Sequence, residues 1–405
     1  MNRKFQVAAL AATAAMILAA CGSSGSASSE SSSGSPAAQS AVAASFAASH
    51  YTTPLADVCP ANLLVQKDWL AEVEHNVLYQ LIGAGGTMSQ YTYTGPLGST
   101  GINLTILDGG PGLGEGGTPV SALYAGNPVA GVTPDISYVY TDEAVQFSKQ
   151  FPTLSVFAPL DRNPQGLMFD PSVYPKIETL TDLKAAYDAG AKAYVTSKTS
   201  SYVRYLIAEG IPEDMFVEGY AGDLDKIITN EGAWLNQGYQ SSEPYTLKEM
   251  TPAWGGKPVS FVNIYQLGLR TYPIAFAIAT ERKAELAPCL TKLVPLFQQA
   301  AVDYATDPAE VNGIIAEYND KELGAPFWKT GMGLNENAHD VMLEMGAISN
   351  GEDGTFGNFD MTRIQEVIDT MAPLYIGAGM DSINPDVTPQ DITTNEFIDP
   401  SISLK

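Results

Sequence analysis

Three histidines and three cysteines in 405 residues leave little material for the commonest catalytic and metal-binding kits. The chain has no His-Glu-x-x-His, no P-loop, no Gly-x-Ser-x-Gly and no Cys-x-x-Cys. His50 falls in a tether-like stretch and His339 in a helical C-terminal region. A histidine triad would have to use His75, and no serine is patterned with it. Too few ligands cluster for a zinc site. Positive charge is also scarce: 21 Lys and Arg stand against 45 Asp and Glu, a net charge of −24. That excludes nucleic acid, which requires a basic footprint; the excess of acid serves solubility. No run after residue 20 is long and apolar enough to span a bilayer. The most apolar one, Ile274 to Ala279, stops at Glu281.

The N-terminal end reads as a secretory signal over residues 1–20. Asn2, Arg3 and Lys4 provide a charged start, and Phe5 to Ile17 is an uncharged, mostly apolar run. It ends in Leu18-Ala19-Ala20-Cys21, followed by Gly22. Small residues ahead of a cysteine resemble the bacterial lipobox, which makes Cys21 the acylated residue; an ordinary signal peptide with a chance cysteine is the alternative. Residues 21–50 are almost entirely Ser, Gly and Ala, too polar and small to offset chain entropy, and so form a tether. Acyl chains on Cys21 would hold the protein to the outer face of a membrane. With Cys21 assigned, Cys59 and Cys289 remain. Outside the cytoplasm they suit one disulfide, with two buried free thiols as the alternative.

The body alternates short apolar runs with amphipathic segments. Strands are expected over 62–66, 102–107, 136–140, 155–158, 191–196, 215–219 and 233–237. Helices are expected over 71–82, 180–189, 200–209 and 223–230, and mostly helix after 280. Such alternation points to α/β lobes with largely parallel sheets flanked by helices. In these sheets ligands sit beyond the carboxyl ends of strands, near helix N-termini. The segments after Gln66, Leu107, Tyr140, Thr196, Gly219 and Gln237 are therefore the expected pocket edges.

Gly112-Leu113-Gly114-Glu115-Gly116-Gly117 fits the dinucleotide pattern Gly-x-Gly-x-x-Gly after a strand. Glu115 would face a pyrophosphate, and Asp108 and Pro111 occupy the turn itself. We read the motif as a loop near the pocket and expect no cofactor. A second constellation is Trp69, Glu72, Glu74, His75 and Tyr79. On a helix over 71–82, His75 and Tyr79 share a face with Glu72, apart from the apolar face of Val73, Val77 and Leu81. Aromatics beside an imidazole suit a flat heterocycle, by stacking and by hydrogen bonding. A half-buried structural histidine is the plainer alternative.

Lys67-Asp68-Trp69 followed by Glu74-His75-Asn76-Val77-Leu78-Tyr79-Gln80 resembles the opening signature of solute-binding proteins related to the thiamine-pyrimidine synthase family, a group that also holds nitrate, sulfonate and taurine binders. Gly101 to Ile106, Gly109-Gly110-Pro111-Gly112, Val120 to Gly126, Pro134-Asp135-Ile136, Leu180 to Lys184 and Glu243-Pro244-Tyr245 follow in the family's order. The chain departs from the pattern at Asn76-Val77 and at Ala185-Ala186. The resemblance implies a two-lobed periplasmic-binding-protein fold of the type II kind. One lobe would take 55–162 and 263–405, the other 163–262, with hinge crossings near Asp161–Gly166 and Pro258–Asn263. It implies a monomer that captures a small molecule between the lobes and delivers it to an ABC permease and its ATPase.

The expected ligand contacts are Trp69, Glu74, His75, Tyr79, Tyr138, Thr141, Thr199, Ser200, Tyr220 and Glu243. Hydroxyls and helix N–H groups near Thr199 and Ser200 suit an anionic or carbonyl group; plain helix capping is the alternative. The favoured ligand is a small heteroaromatic or amine-bearing nutrient, such as a pyrimidine precursor of thiamine. Nitrate, a sulfonate or taurine would require a convergent arginine. A secreted enzyme working through His75 is the competing class.

Overall fold

Chain order gives β1 (Asn62–Gln66), β2 (Thr87–Ser89), β3 (Thr92–Pro96), β4 (Asn103–Leu107), β5 (Ile136–Val139) and β6 (Thr153–Phe157). It continues with β7 (Gln165–Phe169), β8 (Lys192–Val195), β9 (Phe216–Glu218), β10 (Trp234–Tyr239), β11 (Ser260–Asn263) and β12 (Ala275–Ala279). The structure is a computed structural model that describes residues 45–110, 113, 118–127 and 131–405. The signal segment, Cys21, the tether as far as residue 44, and all of the glycine motif except Leu113 lie outside the described residues.

The strands form two sheets, ordered β2-β3-β4-β1-β5-β12-β6 and β11-β7-β10-β8-β9. Both are mixed rather than largely parallel. Among the named strands, parallel pairing is confined to β4-β1-β5 and to β10-β8-β9. The reason is connectivity. The chain leaves the first sheet after β6, builds the second, and returns as β12, which lies antiparallel between β5 and β6. The tight pair β2–β3 adds an antiparallel edge beside β4. The apolar run ending before Glu281 is thus β12, buried at every position in the middle of a sheet. No helix among the described residues is long and apolar enough to cross a membrane.

Helix starts follow local chemistry. Thr118 and Ser121 form a reciprocal capping box for Pro119–Ala125, and Thr179 and Asp182 do the same for Leu180–Asp188. Asp360 caps Met361–Gly377 by accepting from the N–H groups of Thr362 and Arg363. The long helix Lys283–Thr306 supplies Leu290, Leu293, Val294 and Phe297 to the core of the first sheet, where Phe297 meets Phe276 edge-on at 4.8 Å. A second core unites the other sheet with one face of Met361–Gly377. Cys59 and Cys289 are joined by a disulfide, with their Cα atoms 4.8 Å apart.

Two stretches connect the sheets. The first runs over 158–164, between β6 and β7. The second runs over 264–274, between β11 and β12, later than the expected Pro258–Asn263. Residues 260–263 are still sheet: Asn263 is paired with Gly166 of β7. Gly166 is required there, because a Cβ at that position would lie 2.1 Å from the Val262 carbonyl oxygen.

Candidate ligand-binding site

The carboxyl ends of β1 and β5 face those of β8, β9 and β10 across a cavity of about 250 Å³. That lies below the ~300–1,000 Å³ usual for drug-sized ligands, so it suits a compact molecule. From the first sheet come Asp68, Trp69 and Glu72 after β1, and Tyr140, Asp142 and Glu143 after β5. From the second come Thr196, Ser201, Tyr202, Tyr220, Gln237 and Tyr239, with Glu243. Asn163 and Thr271, one from each connecting stretch, close one side and hydrogen-bond each other at 3.1 Å.

The loop after β1 is held from beneath. Gly110 has φ +69°, and a Cβ there would fall 1.7 Å from the Asp68 carbonyl oxygen, so only glycine lets the two loops touch. Fully buried Lys67 donates to Asp108 at 2.7 Å and to the Tyr79 hydroxyl at 3.0 Å, while Tyr318 donates to the other oxygen of Asp108 at 3.0 Å. Asp68 and Glu72 meet over one imidazole: Nε2 of His75 lies 2.9 Å from Asp68 and 3.3 Å from Glu72. Nδ1 of His75 has no partner, which places the proton on Nε2, donating toward the carboxylates. Burial lowers the His75 pKa in spite of Asp68, so the ring is neutral. Burial, reinforced by Glu74 and Asp68, raises Glu72 well above the carboxylate range.

The opposite wall is built on Glu243. Its two oxygens accept from the Tyr220 hydroxyl at 2.6 Å and the Tyr239 N–H at 2.7 Å. Gly238 makes room for it, since a Cβ there would meet the Glu243 side chain at 2.8 Å. Several contacts bridge the walls, among them the hydrogen bond between the Tyr140 and Tyr239 hydroxyls and that from Ser241 to Glu74. The walls therefore stand in a closed arrangement.

Of the expected ligand contacts, Trp69, Tyr220 and Glu243 line this cavity, as does Glu72 of the second constellation. The others sit elsewhere. His75 and Tyr79 are buried beneath the wall, in the two polar clusters just described. The helix there is shorter than expected: a 3-10 turn over Val73–His75 leads into Asn76–Ile82, whose residues are all buried. Glu72 of the polar stripe reaches the cavity, whereas His75 faces the Asp68 and Glu72 carboxyls and Tyr79 faces Lys67. Glu74 is buried against Ser241, and burial lifts its pKa to about 7. Tyr138 stacks on Phe276 at 4.8 Å inside the core, because β5 turns that side away from the cavity. Thr141 is buried and accepts from the Tyr272 N–H at 3.0 Å, tying the end of β5 to the second connecting stretch. Thr199 is exposed and bonds Ser197 at 2.8 Å; Ser200 is the N-cap residue of Ser201–Ala208 but makes no side-chain cap. Missed were Asp68, Tyr202, Gln237, Tyr239 and the pair Asp142–Glu143. Each lies at or just beyond an expected strand end, so the strand-end rule marked the segments but not the side chains.

Two mixed sheets with helices on their faces, two connecting stretches and a cavity at the facing strand ends define the periplasmic-binding-protein fold. Solved structures of that fold resemble the chain over most of its length. The alkanesulfonate-binding protein SsuA from Xanthomonas axonopodis pv. citri, bound to MOPS, matches with a TM-score of 0.51 and 12% identity, over 83% of this chain and 99% of that one. The periplasmic aliphatic sulphonate binding protein SsuA from Escherichia coli matches at TM-score 0.52 and 11% identity, over 84% and 94%. The periplasmic nitrate-binding protein NrtA from Synechocystis PCC 6803 matches at TM-score 0.52 and 11% identity, over 83% and 87%. No protein-family model and no curated protein matches the sequence.

Proposed function

We propose that the chain is the extracytoplasmic solute-binding component of an ABC importer, a monomer tethered to the outer membrane face through acylated Cys21. The observation that carries this reading is the cavity itself, enclosed by the strand ends of both sheets and bridged by Tyr140–Tyr239. The lobes are 55–162 with 264–405, and 163–263, one residue beyond the expected 163–262 because Asn263 is still paired in the second sheet. Solute bridging them would shift the population from open to closed, and the closed form is what a permease and its ATPase would engage. The solute is compact and heteroaromatic or amine-bearing, a thiamine pyrimidine precursor being one example. Trp69 and the cavity tyrosines provide the stacking surfaces.

The fold neighbours that bind sulfonates or nitrate favour a second reading, in which the solute is such an oxyanion. The enzyme reading loses its base, because His75 is fully buried and does not line the cavity.

The test is to purify the full chain, screen nutrients by thermal shift, and recover what is bound. A stoichiometric compound released unchanged agrees with a binder. A converted product would sink the proposal.

A further inference from the structure

Among the described residues, the ionisable side chains on the cavity walls, tyrosines aside, are all carboxyls. Asp68, Glu72, Asp142, Glu143 and Glu243 line the cavity, and no Lys, Arg or His is among its described lining residues. Lys67, just beneath, is committed to Asp108. Acidic residues alone can be mere surface, but these are not. Asp142 is only 5% exposed, lines the cavity, and has an Oδ1 with no hydrogen-bond partner. Asp68 and Glu72 share a single imidazole N–H.

The hydrogen-bond donors tell the same story from the other side. An oxyanion needs free donors. Here the Tyr202 hydroxyl donates to Gln237 at 2.5 Å, Tyr220 to Glu243, and Asn163 to Thr271. The Tyr140 and Tyr239 hydroxyls hold each other. These hydroxyl and amide donors are engaged with protein groups, whereas Asp142 Oδ1 is an acceptor with no partner. The same tyrosines and Trp69 provide π faces, which attract a positive charge.

We infer that the solute this cavity takes is an organic cation, an amine, amidine or quaternary ammonium on a compact body, and not an oxyanion. The inference rests on the solute-binding reading and sharpens it. A bare metal ion does not fit. Among the described residues no three His, Cys, Asp or Glu are grouped to hold one, and Trp69, Tyr140, Tyr202, Tyr220 and Tyr239 interleave the carboxyls on the walls.

The experiment is calorimetric and thermal-shift titration of the full chain with probes matched in shape and opposed in charge. Benzylamine, benzamidine and tetramethylammonium are set against benzenesulfonate, taurine and nitrate, with Mg²⁺ and Zn²⁺ as a third arm. We expect stabilisation by one or more of the cations and none by the anions or metals. Glu143→Gln, at a half-buried position, should weaken the bound cation by about tenfold or more, and Asp142→Asn should act likewise. Binding of nitrate or benzenesulfonate would overturn the charge assignment and leave solute capture standing. Binding of a metal ion alone would overturn the organic part. Cation affinity unchanged in both variants would overturn the site. Failure of every probe, together with no compound recovered from the purified chain, would bring down both this inference and the solute-binding reading.

Discussion

Arg363 donates through Nη2 to the carbonyl oxygen of Asp161 at 2.5 Å, and through the same nitrogen to that of Thr271 at 2.9 Å. Asp161 lies on the first stretch between the sheets and Thr271 on the second. One buried guanidinium on the helix Met361–Gly377 therefore clasps both connections. It also donates to the Arg270 carbonyl at 2.6 Å and lies 3.7 Å above the ring of Tyr272. The helix Met361–Gly377 thus fixes the spacing of the two stretches that connect the sheets.

Arg363→Lys should accordingly be far from conservative. An ammonium cannot reproduce a planar fork that serves several acceptors and stacks on a ring. Loss of the fork leaves buried carbonyls and the Asp161 carboxylate short of partners, a cost of about 2–4 kcal/mol. Urea unfolding of the variant should show a lowered midpoint at unchanged slope. A midpoint equal to that of the parent would mean that the clasp does not bear on stability.

The second prediction concerns pH. Burial, aided by Asp142 and Asp68, lifts Glu143 to about 8, and burial lifts Glu74 to about 7, from an ordinary 4.5. In the solute-free protein these groups keep protons that the unfolded chain gives up near pH 4.5. Their stabilising contribution is full below that pH and disappears as pH rises through about 7 and 8. Glu72, Asp142 and Glu243 are raised in the same direction, again chiefly by burial. His75, lowered from 6.5, works the opposite way as pH falls through its ordinary range, and above that value its contribution is complete. The clean window is therefore pH 7–9, where the melting temperature should decline. Glu143→Gln should flatten that decline. A positively charged solute favours the ionised carboxylates, so its affinity should rise over the same window. An affinity that falls with pH would contradict the charge of the site.

Much of the architecture was legible because periodicity and capping are local signals. β1 and β10 fall at or within two residues of their expected bounds, and Thr179-x-x-Asp182 marks its helix start in plain sequence. The antiparallel place of β12 was not legible, since it depends on where the chain re-enters the first sheet. Nor was the helix rotation that turns His75 inward. A stripe of Glu72, His75 and Tyr79 has the same spacing whether it faces a cavity or a buried pair such as Lys67–Asp108. Only the partners of Lys67, which stands before the helix, decide between the two. Tyr239 escaped notice because β10 runs on to Tyr239, two residues beyond its expected end.

The last prediction separates residues that touch the solute from those that support the wall. Trp69 lines the cavity and meets Trp328 edge-on at 5.8 Å. Trp69→Ala should weaken solute binding by about tenfold to a hundredfold, as expected for an aromatic anchor, at modest cost to the fold. His75 acts one layer down, presenting Asp68 and Glu72 to the cavity through Nε2. His75→Ala should lower the melting temperature strongly, since it opens a space and removes the imidazole donor that Asp68 and Glu72 share. His75→Gln, which keeps a donor, should recover part of that stability and part of the affinity. If His75→Ala instead abolished binding while the melting temperature stayed put, the imidazole would be in contact with solute, and the cavity floor would have to be redrawn to include it.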